Sequence, residues 1–301
     1  MAFETIIGND KIKNMLETSI KSGNILHSYM FCGQEGIGKS LIAKEFAKGI
    51  LCENKSIAPC NKCKSCVEFN TGNHPDLYVV EPDGSTVKIE QIRYLNSKIL
   101  EKPVTSLKKV YIINDSDKMT SDAQNALLKT LEEPPEYAIL ILICKQESSM
   151  LATIKSRCTK LEFQSLTNEE LKNYFMQKNE KISEQVLNLS AGSISKALKV
   201  IPKQEIYLNL QKLLENLENI NKLEILKQDF IYEQKEDIQD LLEAMNNILF
   251  QIAKEKKQYL NCIKIVEQTK KNLKANSNYD MCIDNLLLSI WEEINEKHSR
   301  G

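Results

Sequence analysis

Eight residues, Gly33-Gln-Glu-Gly36-Ile37-Gly38-Lys39-Ser40, have the spacing G-x-x-x-x-G-K-[ST] of a loop that holds nucleotide phosphates. The glycines let the backbone wrap around an anion with its N–H groups, Ile37 among them, pointing inward at the positive end of a helix. Lys39 reaches the β- and γ-phosphates, and the Ser40 hydroxyl ligates Mg²⁺. A plain glycine-rich turn would share the glycines, but not a lysine and a hydroxyl directly after the last of them. The expected ligand is ATP or ADP with Mg²⁺. Upstream, Ile6-Ile7-Gly8-Asn9 is either an apolar wall for the adenine or a bland hydrophobic staple.

Cys52, Cys60, Cys63 and Cys66 follow the pattern C-x₇-C-x₂-C-x₂-C within residues 52–66. Four soft thiolates so close together can close a tetrahedral Zn²⁺ site, and this short polar loop has little else to hold it together. Such a shell is complete and therefore structural. Reduced free cysteines are the bland alternative. A zinc-dependent DNA contact is a third, but Lys55, Lys62 and Lys64 make only a thin basic patch.

A P-loop ATPase usually ends a neighbouring strand in an acidic residue for Mg²⁺, with a second carboxylate to orient the attacking water. The corresponding run is Val110-Tyr-Ile-Ile113-Asn114-Asp115-Ser116-Asp117. Asn114 stands in the first acidic position and Asp115 in the second. An amide carries no negative charge, so turnover is expected to be weak or absent. In Ser156-Arg157-Cys158, before the last strand, Arg157 is either a surface ion-pair partner or a finger that stabilises the γ-phosphate of a neighbouring subunit in trans.

The elements that must position these groups alternate. Strands are expected at Ser28–Cys32, Leu77–Val80, Val110–Ile113, Ala138–Ile143 and Lys160–Phe163, as short apolar runs between turn residues. Helices are expected at Lys11–Lys21, Lys39–Leu51, Ile89–Leu100 and Ser121–Glu132 between them, giving a three-layer α/β module with a parallel sheet. Beyond Gln164 the pattern is helical. Thr167–Gln177, Ile182–Leu189 and Ser193–Ile201 read as a small three-helix bundle that Pro202 ends. From residue 204 onward, apolar positions such as Leu241, Leu242, Met245, Ile248, Leu249 and Ile252 recur three and four apart. The expected domains are therefore 1–164, carrying the Cys₄ insert at 52–66, then 165–203 and 204–301.

At 301 residues, two or three domains are expected from a rough 150 residues each. With 42% hydrophobic and 27% charged residues, the chain is an ordinary globular one with no run long enough for a membrane span, and it is expected in the cytoplasm. A net charge of −1 gives no global field for nucleic acid, so any DNA contact must be local or supplied by partners.

Taken together, His27-Ser-Tyr-Met-Phe31 before the P-loop, the Cys₄ insert after its helix, Asn125-Ala-Leu-Leu-Lys-Thr-Leu-Glu-Glu-Pro-Pro135 and Ser156-Arg157-Cys158 resemble the bacterial DNA polymerase III clamp-loader subunits, over residues 2–201. The resemblance implies an AAA+ module, a helical lid domain at 165–203 and an all-α collar (oligomerisation) domain at 204–301. The family contains ATPase motors, called gamma or tau, and a stator-like delta-prime kind. Asn114 and Asp115 replace the motor's acidic pair, Cys144 falls at its polar γ-phosphate sensor, and Ser195 falls at its lid arginine, so the likeness is to the delta-prime kind. That implies a hetero-oligomer with motor and delta subunits within the DNA polymerase III holoenzyme. Arg157 would act on the neighbouring motor, and the complex would load the sliding clamp onto primed DNA.

Overall fold

The computed structural model describes residues 3, 5–180, 182–275 and 277–295. They group into two compact units, Met1–Lys181 with Ala191–Ser195, and Ile182–Ser190 with Lys196–Gly301.

The first unit is built on five parallel strands, β1 (Ser28–Cys32), β2 (Leu77–Val80), β3 (Lys109–Ile113), β4 (Ala138–Cys144) and β5 (Thr159–Glu162), in the spatial order β2-β3-β4-β1-β5. The sequence of β4, AILILIC, is buried along its whole length, as a central parallel strand covered on both faces must be. Edge strand β5, TKLE, keeps lysine and glutamate towards solvent, a charge pattern that discourages pairing with another chain. Alternate side chains of β1 enter opposite cores: Tyr29 and Phe31 join one cluster, Met30 and Cys32 the other. Helices α1 (Asp10–Ser22) and α2 (Lys39–Leu51) supply Leu16, Ile20, Ile42 and Phe46 to the first cluster. After the short α3 (Lys64–Asn70), helices α4 (Ile89–Ile99), α5 (Ser121–Glu132) and α6 (Ala152–Lys155) supply Ile92, Leu95, Ala123, Leu127 and Ile154 to the second. The α/β module with a parallel sheet is as expected from the sequence.

The expected boundaries move at a few ends, each for a local reason. β5 runs Thr159–Glu162 and not Lys160–Phe163. The Phe163 amide still bonds the Cys32 carbonyl at 2.7 Å, but its ring packs on Phe31 at a centroid distance of 5.1 Å. Helix α7 (Asn168–Gln177) starts in a capping box, with the Thr167 and Glu170 side chains each bonding the other's backbone N–H. Helices α8 (Glu184–Ser190) and α9 (Ile194–Val200) follow. α9 excludes Ser193 and stops before Pro202, where Ile201–Lys203 makes a 3₁₀ turn. The segment 165–203 is shared between the two compact units: α7 and Ala191–Ser195 group with the first, and Ile182–Ser190 with the second.

The second unit continues through α10 (Gln204–Glu215), α11 (Lys222–Ile225), α12 (Asp229–Tyr232), α13 (Ile238–Glu255), α14 (Leu260–Lys274) and α15 (Tyr279–Asn295). Leu241, Leu242, Met245, Ile248 and Leu249 of α13 are all buried, as their spacing demands. The Trp291 indole N–H donates to the Ile220 carbonyl at 2.6 Å, satisfying the polar edge of a part-buried ring. Among the described residues, no helix is long and apolar enough to cross a membrane.

Candidate functional site

The Gly33–Ser40 loop connects the carboxyl end of β1 to the first turn of α2, the position at which an open parallel sheet presents its ligands. Its glycines are required sterically. Gly36 has φ +77°, and a Cβ there would lie 2.3 Å from Ser193 Oγ and 2.6 Å from Ser195 Cβ. At Gly33, φ +150°, a Cβ would meet the Phe163 carbonyl oxygen at 2.7 Å. Lys39 is 7% exposed, and its ammonium donates to the Gly33 and Gln34 carbonyls at 2.6 and 2.7 Å, which folds the loop around it. Burial draws its pKa down from the ordinary lysine value, while the carboxylates of Asp115 and Asp117 oppose the fall.

A cleft of about 310 Å³ lies against this loop, lined by Gly36, Gly38, Lys39, Ser40, Asp115 and Ile143 and closed by Tyr174, Ile194 and Ser195. Ile37 contributes no side chain to it. That residue is 1% exposed and belongs to the core, so it offers only backbone. Ile6 is likewise a core residue of the same cluster, which makes the apolar Ile6-Ile7 run a packing element more than a cleft wall. The Ile194 amide donates to the Gly36 carbonyl at 3.0 Å, so residues 191–195 are seated directly on the phosphate loop.

At the carboxyl end of β3, Ser40 Oγ donates to Asn114 Oδ1 at 2.9 Å, and Asn114 Nδ2 donates to Glu81 Oε1 at 2.5 Å. Sequence reasoning passed over Glu81, which follows β2 and comes beside Asn114 only because β2 and β3 are neighbours. Asp115 lies at φ 45°, ψ 47°, a left-handed conformation that non-glycine residues seldom adopt, and its carboxylate pairs with Lys118 at 2.8 Å. Cys144 is 1% exposed and faces its cross-strand partner Cys32, Sγ to Sγ 3.0 Å, within the core. The hydrogen bond to Cys32, then burial, raise its pKa, so the position holds a neutral thiol and no polar group directed at a phosphate.

The four cluster sulfurs, Cys52, Cys60, Cys63 and Cys66, all lie within 4.8 Å of one another. Tetrahedral thiolates about 2.3 Å from Zn²⁺ stand roughly 3.8 Å apart, so this donor set fits the metal. Backbone N–H groups of Cys60, Cys63 and Cys66 donate to the sulfurs of Cys52, Cys60 and Cys63 at 3.3–3.4 Å, pre-shaping a knuckle that favours the anionic form. Donors at Lys62 and Cys63 hold the Cys60 thiol down at about 6, whereas burial raises Cys52 and Cys66. Beneath the knuckle, Ser65 bonds the Leu51 carbonyl at 2.7 Å and His74 Nε2 at 2.8 Å. His74 Nδ1 accepts from the Asp76 amide at 3.0 Å, and the Asp76 carboxylate accepts the amides of Val104, Thr105 and Ser106 at 2.7–2.8 Å. The serine, histidine and aspartate form a structural relay, because the Asp76 carboxylate bonds backbone amides and not the imidazole.

Arg157 precedes β5, at the amino ends of the parallel strands, so the sheet separates it from the chain's own P-loop at the carboxyl ends. Its guanidinium pairs with Glu132 Oε1 at 2.8 Å and donates to the Thr153 carbonyl at 2.9 Å, leaving the side chain 34% exposed.

Residues 8–167 match the family described as DNA polymerase III, delta subunit. The chain belongs to the DNA polymerase III clamp-loader subunit family. The delta' subunit of Bacillus subtilis is 40% identical over 156 residues, 52% of this chain and 47% of that protein. The tau subunit of the same organism is 35% identical over 170 residues, 56% of this chain and 30% of that protein, so both kinds of subunit are similar. The chain thus spans about half the length of the delta' relative and less of the tau relative. A solved gamma subunit-related protein from Thermotoga maritima superimposes with a TM-score of 0.56 at 18% identity, covering 93% of this chain and 99% of that one, which is a likeness of fold alone. The delta-prime likeness and the parallel α/β sheet with its helical continuation both stand.

Proposed function

We propose that this chain is a delta-prime-like stator of a clamp-loader complex in the cytoplasm. In this reading it binds ATP or ADP with Mg²⁺ at Gly33–Ser40 with little turnover of its own, and donates Arg157 to the nucleotide of an adjacent motor subunit. The observation that carries the reading is the Ser40 hydroxyl bonded to an amide, Asn114, inside an otherwise intact phosphate loop. An amide keeps the hydrogen bond yet supplies none of the charge that anchors Mg²⁺ during phosphoryl transfer. The arginine's location supports the second half, since a group across the sheet from its own P-loop can serve only another subunit's.

Partners under this reading are gamma or tau motors and a delta subunit, with the sliding clamp and primed DNA engaged through the complex. Residues 165–203 act as the lid and 204–301 as the collar that holds the ring. Cys52, Cys60, Cys63 and Cys66 hold one structural Zn²⁺. The 35% identity to a tau subunit keeps an active motor as the competing reading. Phosphate release by the purified chain, with Mg²⁺-ATP and primed DNA, separates them. A stator releases only background phosphate; sustained, DNA-stimulated release without partner subunits identifies a motor.

A further inference from the structure

We propose that Glu81 is a positioning residue of the nucleotide site, holding Asn114 so that the amide oxygen takes the hydrogen bond from Ser40 and the serine lone pairs stay available to Mg²⁺. This rests on the reading of Gly33–Ser40 as a Mg²⁺-nucleotide loop.

Strands β2 and β3 end in register at Val80 and Ile113, and the Asn114 amide donates to the Val80 carbonyl at 2.9 Å. Residues 81 and 114 therefore leave neighbouring strands side by side at the ligand-binding edge. Gln91 of α4 donates its side-chain amide to the Glu81 carbonyl at 2.7 Å and fixes that backbone. The orientation of Asn114 follows from donor and acceptor chemistry. A carboxylate only accepts, so the NH₂ must face Glu81, and the oxygen is left for Ser40. Without Glu81 the amide is free to turn over and offer Ser40 a donor, which would occupy the very lone pairs a metal needs.

The same geometry gives a reason for asparagine at position 114. An aspartate would set two carboxylates 2.5 Å apart, and like charges at that separation do not both ionise without a cation between them. Asn114 and Glu81 are thus a matched pair in which the negative charge is moved one strand over.

The test is titration of Mg²⁺-ADP, and of ADP in EDTA, into the full chain and three variants: Glu81→Ala, Asn114→Asp, and Glu81→Gln combined with Asn114→Asp. Glu81→Ala is expected to weaken Mg²⁺-ADP binding about tenfold, the scale of one charged hydrogen bond, with metal-free ADP affected less than about twofold. Asn114→Asp alone should weaken it as well. The double exchange swaps amide and carboxylate between the positions and should restore binding towards wild type, which mere structural damage would not allow. Glu81 is exposed, so its replacement leaves the core intact. Wild-type affinity in Glu81→Ala, or a double variant no better than the singles, overturns the assignment. A wild-type chain that binds neither form overturns the nucleotide reading itself, and this assignment with it.

Discussion

Lys39 and His74 illustrate how two buried basic side chains meet opposite ends. Lys39 is held against two carbonyls at the cleft, so removing it should cost ligand binding and little fold. In Lys39→Ala we expect the thermal shift on adding ADP to vanish while the unliganded melting temperature changes by no more than about 4 °C, measured by differential scanning fluorimetry. His74 has no ligand to serve. Burial lowers its pKa, so the unfolded chain binds the proton more readily than the folded one. Stability from the neutral ring is therefore complete above the unfolded value of about 6.5 and drains away as pH falls through and below it. Denaturant midpoints between pH 7.5 and 5.5 should fall more steeply for the wild type than for His74→Phe, whatever the variant's absolute stability. Equal slopes would show that the imidazole is not the proton acceptor.

Strands and crossover helices were legible because a doubly covered parallel sheet writes continuous apolar runs, as in Ala138–Cys144, between amphipathic helices. The Gly33–Ser40 loop was legible for a local reason: its motif is eight consecutive residues between one strand and one helix. Glu81 was not, since Asn114 lies 33 residues away and only the pairing of β2 with β3 brings it alongside, and the Ser65–His74–Asp76 relay was not, since it joins a helix to loops that no local pattern links. Ile37 was half legible, being a residue of the loop whose side chain serves the core and not the cleft. The knuckle, too, is a local feature with a distant anchor. Metal analysis should give about one zinc per chain, four thiolates completing one tetrahedral shell. Chelation should raise hydrogen exchange of amides in 52–70, while those of Ala138–Cys144 keep their protection. A metal-free protein with an ordered, protected knuckle would remove the zinc.

In the whole molecule, the proposed nucleotide loop and the proposed finger stand apart. Gly33–Ser40 and Arg157 lie at opposite ends of one parallel sheet, and under the proposed function the arginine serves the nucleotide of the next subunit. Glu132 pairs with Arg157 inside the chain, and under the proposed function it shares or releases the guanidinium to a neighbour's phosphate. Under the proposed function, adding this chain to motor and delta subunits should raise clamp loading onto primed DNA although the chain by itself releases only background phosphate.

The most direct measurement is the ATPase rate of a complex reconstituted from motor and delta subunits with either wild-type chain or Arg157→Ala. The account predicts that the variant folds, binds nucleotide and assembles, and that turnover at the one adjoining motor site falls by about 10³-fold, the lower end of what an arginine finger contributes. An assembled complex whose ATPase and clamp loading are unchanged by Arg157→Ala would contradict it.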